Sequence, residues 1–164
     1  MKLDYVQALK RVSEARGTWI LHGQEPLLEQ NLLDAFRKSW QQNEIERQRY
    51  DIGNVSDWKN VFNALNSLSL FSQQLAIEVH GNIKPDANGL KQLKSYIQHN
   101  EENLLLIVLP KQDSSSLKSA FFQTVEANGV VVPLTATYPQ DRQRILTLEA
   151  DQLGIQLDAD AWQW

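Results

Sequence analysis

Short apolar runs alternate along this chain with segments in which apolar residues recur every three or four positions. The runs predict strands at 18–23, 75–80, 103–109 and 130–133, and the segment 49–52 predicts a further, brief strand. The periodic segments predict amphipathic helices, at 6–16, 26–40, 58–68, 90–98, 116–127 and 139–153, and the polar stretch 81–89 predicts a loop. This alternation indicates an α/β fold with a five-stranded parallel sheet flanked by helices.

One predicted strand is the most apolar run in the chain and therefore belongs at the centre of the sheet. It runs from Asn103 to Leu109 and is closed by Pro110. Continuous apolarity at this length is typical of a parallel strand that is covered on both faces.

Several residues at the predicted helix starts have the chemistry of caps. Pro26 suits the first helical position, and Glu25 before it favours the positive end of the helix dipole. Asn54 and Ser56 are candidate caps for the helix at 58–68, and Ser114–Ser116 are candidate caps for the helix at 116–127.

The end of the third helix breaks the pattern of its own apolar face. At about 100° per residue, one face collects the helix's apolar residues, Trp58, Val61, Phe62, Leu65 and Leu68. Leu70 and Phe71 would fall on the opposite side, among small polar residues. They are either an anchor for a partner's pocket or a pair that packs inward because the chain turns.

The chain divides into two predicted domains, an α/β domain at 1–137 and the beginning of a helical unit at 138–164. Asp158 is a plausible cap for a helix that is only starting where the sequence stops at Trp164. We therefore expect the chain to be a piece of a longer protein.

Composition excludes several classes of function. Cysteine is absent, which removes disulfides and thiolate chemistry, and no apolar run approaches the length of a membrane span. The net charge of −4 argues against a strong autonomous nucleic-acid binder, though not against a local basic patch.

A phosphate-binding loop is expected after the first strand of such a sheet, and its chemistry is missing. A Gly-x-x-x-x-Gly-Lys-Ser/Thr loop offers backbone N–H groups and a lysine to the phosphates. Counted from Gly23, the second glycine is Leu28, the lysine is Glu29 and the hydroxyl residue is Gln30. The strand expected to end in magnesium-binding carboxylates ends instead in Leu109-Pro110-Lys111. These differences predict no nucleotide cofactor.

No other group of residues forms a catalytic or metal-binding pattern. His22, His80 and His99 lack the spacing of metal ligands. His22 and His80 each end a predicted strand, so they could meet at the carboxyl edge of the sheet or simply bond to backbone or water.

Four stretches in this order resemble the δ subunit of the bacterial DNA polymerase III clamp loader. They cover the turn after the first strand, the Ser-Leu-Phe tripeptide, the central strand and the start of the helical unit: 22–30, 69–71, 102–108 and 153–158. The likeness extends over essentially all 164 residues but only over the N-terminal part of a δ subunit.

The resemblance implies an AAA+-like domain that neither binds nor hydrolyses ATP, followed by the start of a helical lid. Such a subunit binds the β sliding clamp and opens the ring for loading onto DNA, with Leu70 and Phe71 in the clamp's apolar pocket. The clamp-binding motif would be completed by Leu68, Ser69 and Asn66, where the family often has glutamine instead of Asn66.

The resemblance also implies the protein's partners and location. Other loader subunits would bind through a further C-terminal domain, DNA would be contacted only within the assembled loader, and the location would be cytoplasmic, without membrane contact or cofactor. Two alternatives stay open: a small P-loop-like NTPase, and an unrelated α/β adaptor whose Leu-Phe pair is buried.

Overall fold

A computed structural model of the chain describes residues 1–67, 74–99, 102–135 and 147. Met1–Leu134 forms one compact unit in which strands and helices alternate. Its strands are β1 (Gly17–Gly23), β2 (Glu46–Ile52), β3 (Leu75–Gly81), β4 (Leu104–Leu109) and β5 (Val130–Leu134). Its helices are α1 (Tyr5–Arg11), α2 (Pro26–Gln42), α3 (Trp58–Ser67), α4 (Ala87–His99), α5 (Ser114–Leu117) and α6 (Ala120–Asn128).

The five strands form a single parallel sheet in the order β2-β3-β4-β1-β5. β4 occupies the centre, and every one of its residues is buried. The predicted α/β class and the predicted central strand are therefore confirmed. Full burial follows from the composition of β4, because only apolar side chains can cover both faces of a central strand without unpaired polar groups.

Helices cover both faces of the sheet. On one face, Phe36 of α2 packs edge-on against Trp19 of β1, with ring centroids 5.5 Å apart. On the other face, the buried residues of α3, α4 and α6 form one core with alternate residues of the strands. Trp58 and Phe62 stack at the start of α3, with centroids 5.9 Å apart.

Some predicted boundaries shift because local hydrogen bonds extend or shorten the element. α1 ends at Arg11 and continues as a 3-10 turn, Val12–Glu14, rather than reaching Arg16 as an α-helix. α4 begins inside the predicted loop 81–89, since Asp86 accepts a hydrogen bond of 2.8 Å from the Gly89 N–H and so caps the helix.

The single helix predicted at 116–127 is wrong, because the chain forms α5 and α6 with an extended residue between them. The Lys118 and Ser119 N–H groups bond to carbonyls three residues earlier, which closes α5, and Ser119 then adopts ψ 159°. The cap of α5 is also not among Ser114–Ser116. Asp113 accepts a hydrogen bond of 2.7 Å from the Ser116 N–H.

The outer edges of the two edge strands, β5 and β2, have different neighbours. The chain start lies along β5, where the Leu3 N–H donates to the Val131 carbonyl at 3.0 Å and the Val131 N–H donates to the Met1 carbonyl at 2.9 Å. β2 forms the other edge and carries charged side chains along it, among them Arg47, Arg49 and Asp51.

Several predictions fall outside the described residues. The helix at 139–153 does so apart from Thr147, which is helical, and so does the start of a helix after Asp158. The domain boundary at 137 therefore stays a prediction. None of the described helices has the length and the apolar character needed to cross a bilayer.

Candidate functional site

The turn after β1 is too short to be a phosphate loop. Gln24 and Glu25 alone separate Gly23 from Pro26, the first residue of α2. In the first turns of this helix Leu28 is buried, Glu29 is partly exposed and Gln30 is exposed. The positions of the loop's second glycine, lysine and hydroxyl residue are therefore helical, and no wide backbone cradle remains there.

Gly23 is required by packing against the neighbouring strand. Its φ is +155°, and a Cβ at this position would lie 2.5 Å from the Leu134 carbonyl oxygen of β5. Gly81 has the same role at the end of β3, where φ is +151° and a Cβ would lie 2.7 Å from the Ile52 carbonyl oxygen. Both strands therefore end in a glycine that lets two backbones approach closely.

A cleft of about 580 Å³ lies at the carboxyl ends of β1, β3 and β4, where a sheet of this kind ordinarily binds a ligand. Among its described lining residues, Glu29 is the one carboxylate, and none is a lysine or an arginine. The other polar side chains of the cleft belong to Gln24, Gln30, His80 and Asn82. A triphosphate placed in this cleft would meet a negative side chain instead of a lysine.

The carboxylate of β3 that lies nearest to this cleft belongs to Glu78, and it is already bonded to other side chains. Its Oε1 accepts from Arg37 Nη2 and lies near His80 Nε2, both at 2.6 Å, and its Oε2 accepts from Arg47 Nε at 2.7 Å. Glu78 is fully buried. Burial opposes its ionisation, but the hydrogen bonds from His80, Arg47 and Arg37 hold the pKa of Glu78 well below its ordinary value.

Glu78 is therefore an ionised structural carboxylate that ties α2 and β2 to β3. Its two oxygens already have three cationic or imidazole partners, which leaves little capacity for a metal ion. No cluster of three potential metal ligands occurs in the described ranges.

The two strand-end histidines do not form a site together. β4 lies between β1 and β3, which puts His22 and His80 two strand spacings apart, or about 10 Å. The buried His22 packs edge-on against Phe122 at 5.5 Å, and burial followed by the nearby Lys2 lowers its pKa. His80 instead contacts the carboxylate of Glu78 through Nε2.

The predicted clamp-binding residues begin in the last turn of α3, and Asn66 is the one among them that the structure describes. The apolar face of α3 is buried as predicted, through Trp58, Val61, Phe62 and Leu65. Asn66 is exposed in the last turn of that helix. Leu68, Ser69, Leu70 and Phe71 lie outside the described residues, so their role stays a prediction.

The flanks of this segment, Ser67 and Gln74, lie at the amino end of the sheet, because α3 returns from the carboxyl end before β3 begins. The Ser67 hydroxyl donates to the Ala64 carbonyl at 2.9 Å. On the other side, Leu75 is buried, and its N–H donates to Asn103 Oδ1 at 2.9 Å.

Sequence reasoning missed both Glu78 and Asn103. For Glu78 a signal existed, since a single acidic residue inside the apolar run 75–79 has to find a partner if the strand is buried. For Asn103 the signal was weak, because its contact with Leu75 depends on which strands are neighbours.

Comparisons with known proteins agree with this geometry. The family model described as DNA polymerase III, delta subunit, matches residues 19–135. No curated protein sequence matches the chain.

Among solved structures, the chain is similar to the DNA clamp loader delta protein (YqeN) of Bacillus subtilis. The TM-score is 0.64 and the identity 11%, and the match covers 91% of this chain and 48% of that one. The chain thus spans about half the length of that protein.

Two Thermotoga maritima structures share the fold. A DNA polymerase III gamma subunit-related protein matches with a TM-score of 0.53 at 10% identity, over 92% of this chain and 52% of that one. Domain III of the replication initiation protein DnaA matches with a TM-score of 0.51 at 12% identity, over 96% and 72%. These likenesses confirm the predicted AAA+-like fold, and by the match of the family model this chain belongs to the DNA polymerase III delta subunit family.

Proposed function

We propose that this chain is the clamp-binding part of a clamp-loader δ subunit, and that it binds the β sliding clamp and opens the ring during DNA replication. The observation that carries the proposal is the family match over 19–135, a range that includes the Leu70-Phe71 segment.

The anchor in this proposal is the apolar pair Leu70 and Phe71, flanked by Leu68, Ser69 and Asn66. Burying a leucine and a phenylalanine contributes about 1.5–3 kcal/mol each, enough for two side chains to dominate a peptide-in-pocket interface. Ring opening then requires only that the subunit bind an open or relaxed ring interface more tightly than the closed one.

The proposed mechanism uses no ATP, no metal and no catalytic step in this chain. The short turn between Gly23 and Pro26 and the negative Glu29 in the cleft support this, because the groups that would cradle and neutralise a triphosphate are replaced.

The remaining parts of the proposal concern assembly. Other loader subunits bind through a domain beyond these residues, and DNA is contacted within the assembled loader in the cytoplasm. The net charge of −4 gives the chain alone no strong general attraction for nucleic acid.

Binding of purified β clamp to the 164-residue chain tests the proposal. The variant with Leu70→Ala and Phe71→Ala should lose at least about a hundredfold in affinity while staying folded, given the burial of two anchors. Leu27→Ala is the matched control, since Leu27 is 64% exposed in the first turn of α2 and is not part of the proposed motif, and it should bind as the parent does.

Unchanged affinity in the folded double variant would refute the proposal. Unfolding of the double variant would instead support the reading in which the pair is buried in an adaptor domain.

A further inference from the structure

The cleft at the carboxyl ends of β1, β3 and β4 contains a carboxylate without a counter-charge. Glu29 lines this cleft from the first turn of α2. Its side chain is only partly exposed, and within the described ranges its carboxylate has neither a hydrogen-bond donor nor a cation as a partner. A half-buried carboxylate of this kind attracts a cation more strongly than one in open water, because the walls of the cleft exclude part of the solvent.

The helix that carries Glu29 does not neutralise it. The amino end of a helix is equivalent to about half a positive charge. Glu25 occupies the N-cap of α2 and Glu29 its first turn, so two carboxylates outweigh the helix end. The mouth of the cleft is therefore negative at the place where a phosphate-binding lysine would make it positive.

The neighbouring cations do not line the cleft either. Arg37 and Arg47 both bond to the buried carboxylate of β3. Lys84 and Lys111 line a separate depression of about 460 Å³, which borders the cleft at Asn82. A cation that pairs with Glu29 would thus come from outside the described part of the chain.

Two further features of the cleft suit a guanidinium group. Gln30 Nε2 donates to Asp34 Oδ1 at 2.8 Å, which leaves the Gln30 carbonyl oxygen as a second acceptor in the lining. Pro26 and Pro110 supply apolar wall along which the stem of a long cationic side chain can lie. A guanidinium offers five N–H donors in a planar fork, which can serve a carboxylate and an amide oxygen together, whereas an ammonium acts as a point charge.

The surface around the cleft favours a protein as the source of this group over a free small molecule. Of the four large apolar side chains that are exposed in the described ranges, three follow the carboxyl ends of strands: Leu27 after β1, Val55 after β2 and Leu117 after β4. Leu27 is 64% exposed and directly follows Pro26 of the lining. Exposed apolar residues beside a polar cleft are typical of a protein interface, where arginine is a frequent anchor.

We propose that this cleft binds an arginine side chain displayed by a partner protein, with the Glu29 carboxylate as its counter-charge and Leu27 as part of the apolar contact around it. The proposal goes beyond clamp binding and does not depend on it, because none of these residues belongs to the proposed clamp-binding motif.

NMR titration of the isotopically labelled 164-residue chain with short peptides tests the proposal. Acetyl-Leu-Arg-Leu-amide should cause saturable shifts at Leu27, Glu29 and Gln30, with the millimolar affinity expected of one anchoring side chain. The same peptide with citrulline in place of arginine keeps the shape but has no charge, and it should bind about tenfold more weakly. This comparison uses the parent chain and does not depend on the folding of any variant.

Variants of the chain assign the two contacts. Glu29→Gln should weaken the arginine peptide about tenfold and leave the citrulline peptide unchanged. Glu14→Gln is the matched control, since Glu14 is an exposed carboxylate in the turn before β1 and its loss changes the net charge equally. Leu27→Ala should weaken acetyl-Leu-Arg-Leu-amide about threefold and leave acetyl-Gly-Arg-Gly-amide unchanged.

Three results would overturn the proposal. The first is equal affinity for the arginine and citrulline peptides, and the second is the absence of saturable shifts at the cleft with about 10 mM peptide. The third is an affinity for acetyl-arginine-amide as high as that for the leucine-flanked peptide, which would assign the cleft to a small guanidinium compound instead of a protein. Clamp binding, measured on the same chain, is independent of all three.

Discussion

The two ends of the sheet differ in the packing and hydrogen-bond partners of their residues. At the carboxyl end, Gly23 and Gly81 pack against neighbouring strands and Glu78 is saturated by cationic partners. At the amino end, α3 and β3 are each anchored next to the segment 68–73. The contrast teaches that a scaffold of the nucleotide-binding type can keep its backbone and lose its phosphate chemistry at one end of the sheet, while the flanks of the proposed clamp-binding segment are held at the other end.

The largest effect is expected at the close approach between β1 and β5. Gly23→Ala would place a methyl group 2.5 Å from the Leu134 carbonyl at a φ of +155°, and should destabilise the fold by about 3 kcal/mol. Gly53→Ala is the control, because its Cβ would meet only Asp57 Oδ2 at 3.5 Å. Urea unfolding measures both, and equal stability of the two variants would contradict a packing role for Gly23.

A somewhat smaller effect is expected from the buried carboxylate. Glu78→Gln removes the charge that pairs with Arg37 and Arg47 and should cost about 2 kcal/mol, less than a fully buried pair because both arginines are partly exposed. Asp51→Asn breaks the exposed pair with Arg49 and should cost less than about 1 kcal/mol. Similar free energies of unfolding for the two variants would show that the Glu78 cluster is not the structural tie between α2, β2 and β3.

The same cluster predicts a pH dependence whose sign is fixed by the lowered pKa of Glu78. Its stabilisation is fully present above the ordinary carboxyl pKa, about 4.3, and is lost as the pH falls toward the lower folded-state pKa. Unfolding free energies at pH 7, 5 and 3 should fall more steeply for the parent than for Glu78→Gln. Parallel curves would mean that Glu78 does not carry this part of the acid sensitivity.

The smallest effect is expected from nucleotide. Mg-ATP at millimolar concentration should shift the thermal midpoint of the 164-residue chain by less than about 1 °C, because a ligand stabilises only when its concentration exceeds its dissociation constant. A clear, saturable shift would show that the cleft binds nucleotide despite Glu29 and would favour the NTPase alternative.

The sequence predicts the parts of this molecule that depend on local pattern. Apolar runs locate four of the five strands, and the brief segment 49–52 locates the second half of β2. The run before Pro110 identifies the central strand, and the spacing from Trp58 to Leu65 identifies the buried face of α3. The division into α5 and α6 was missed because it depends on the backbone of Ser119 and not on apolar spacing.

The parts that depend on strand order could not be predicted in the same way. Glu78 is separated by 41 residues from Arg37 and by 31 from Arg47, and these partners meet only after β2 lies beside β3 and α2 covers that face. The bond between Asn103 and Leu75 likewise needs β3 beside β4. The order and spacing of the motifs identified the family, whereas these contacts required the structure.

The pairing of the chain start with β5 has a practical consequence for work with this protein. Val130, Val131 and Val132 form an apolar, strand-prone edge, and Met1 and Leu3 cover it through two backbone hydrogen bonds at Val131. Uncovered strands of this kind pair with other chains, whereas β2 is guarded by its charged side chains. Trimming the first residues to shorten an expression product would therefore promote intermolecular association and precipitation without touching the sheet's interior.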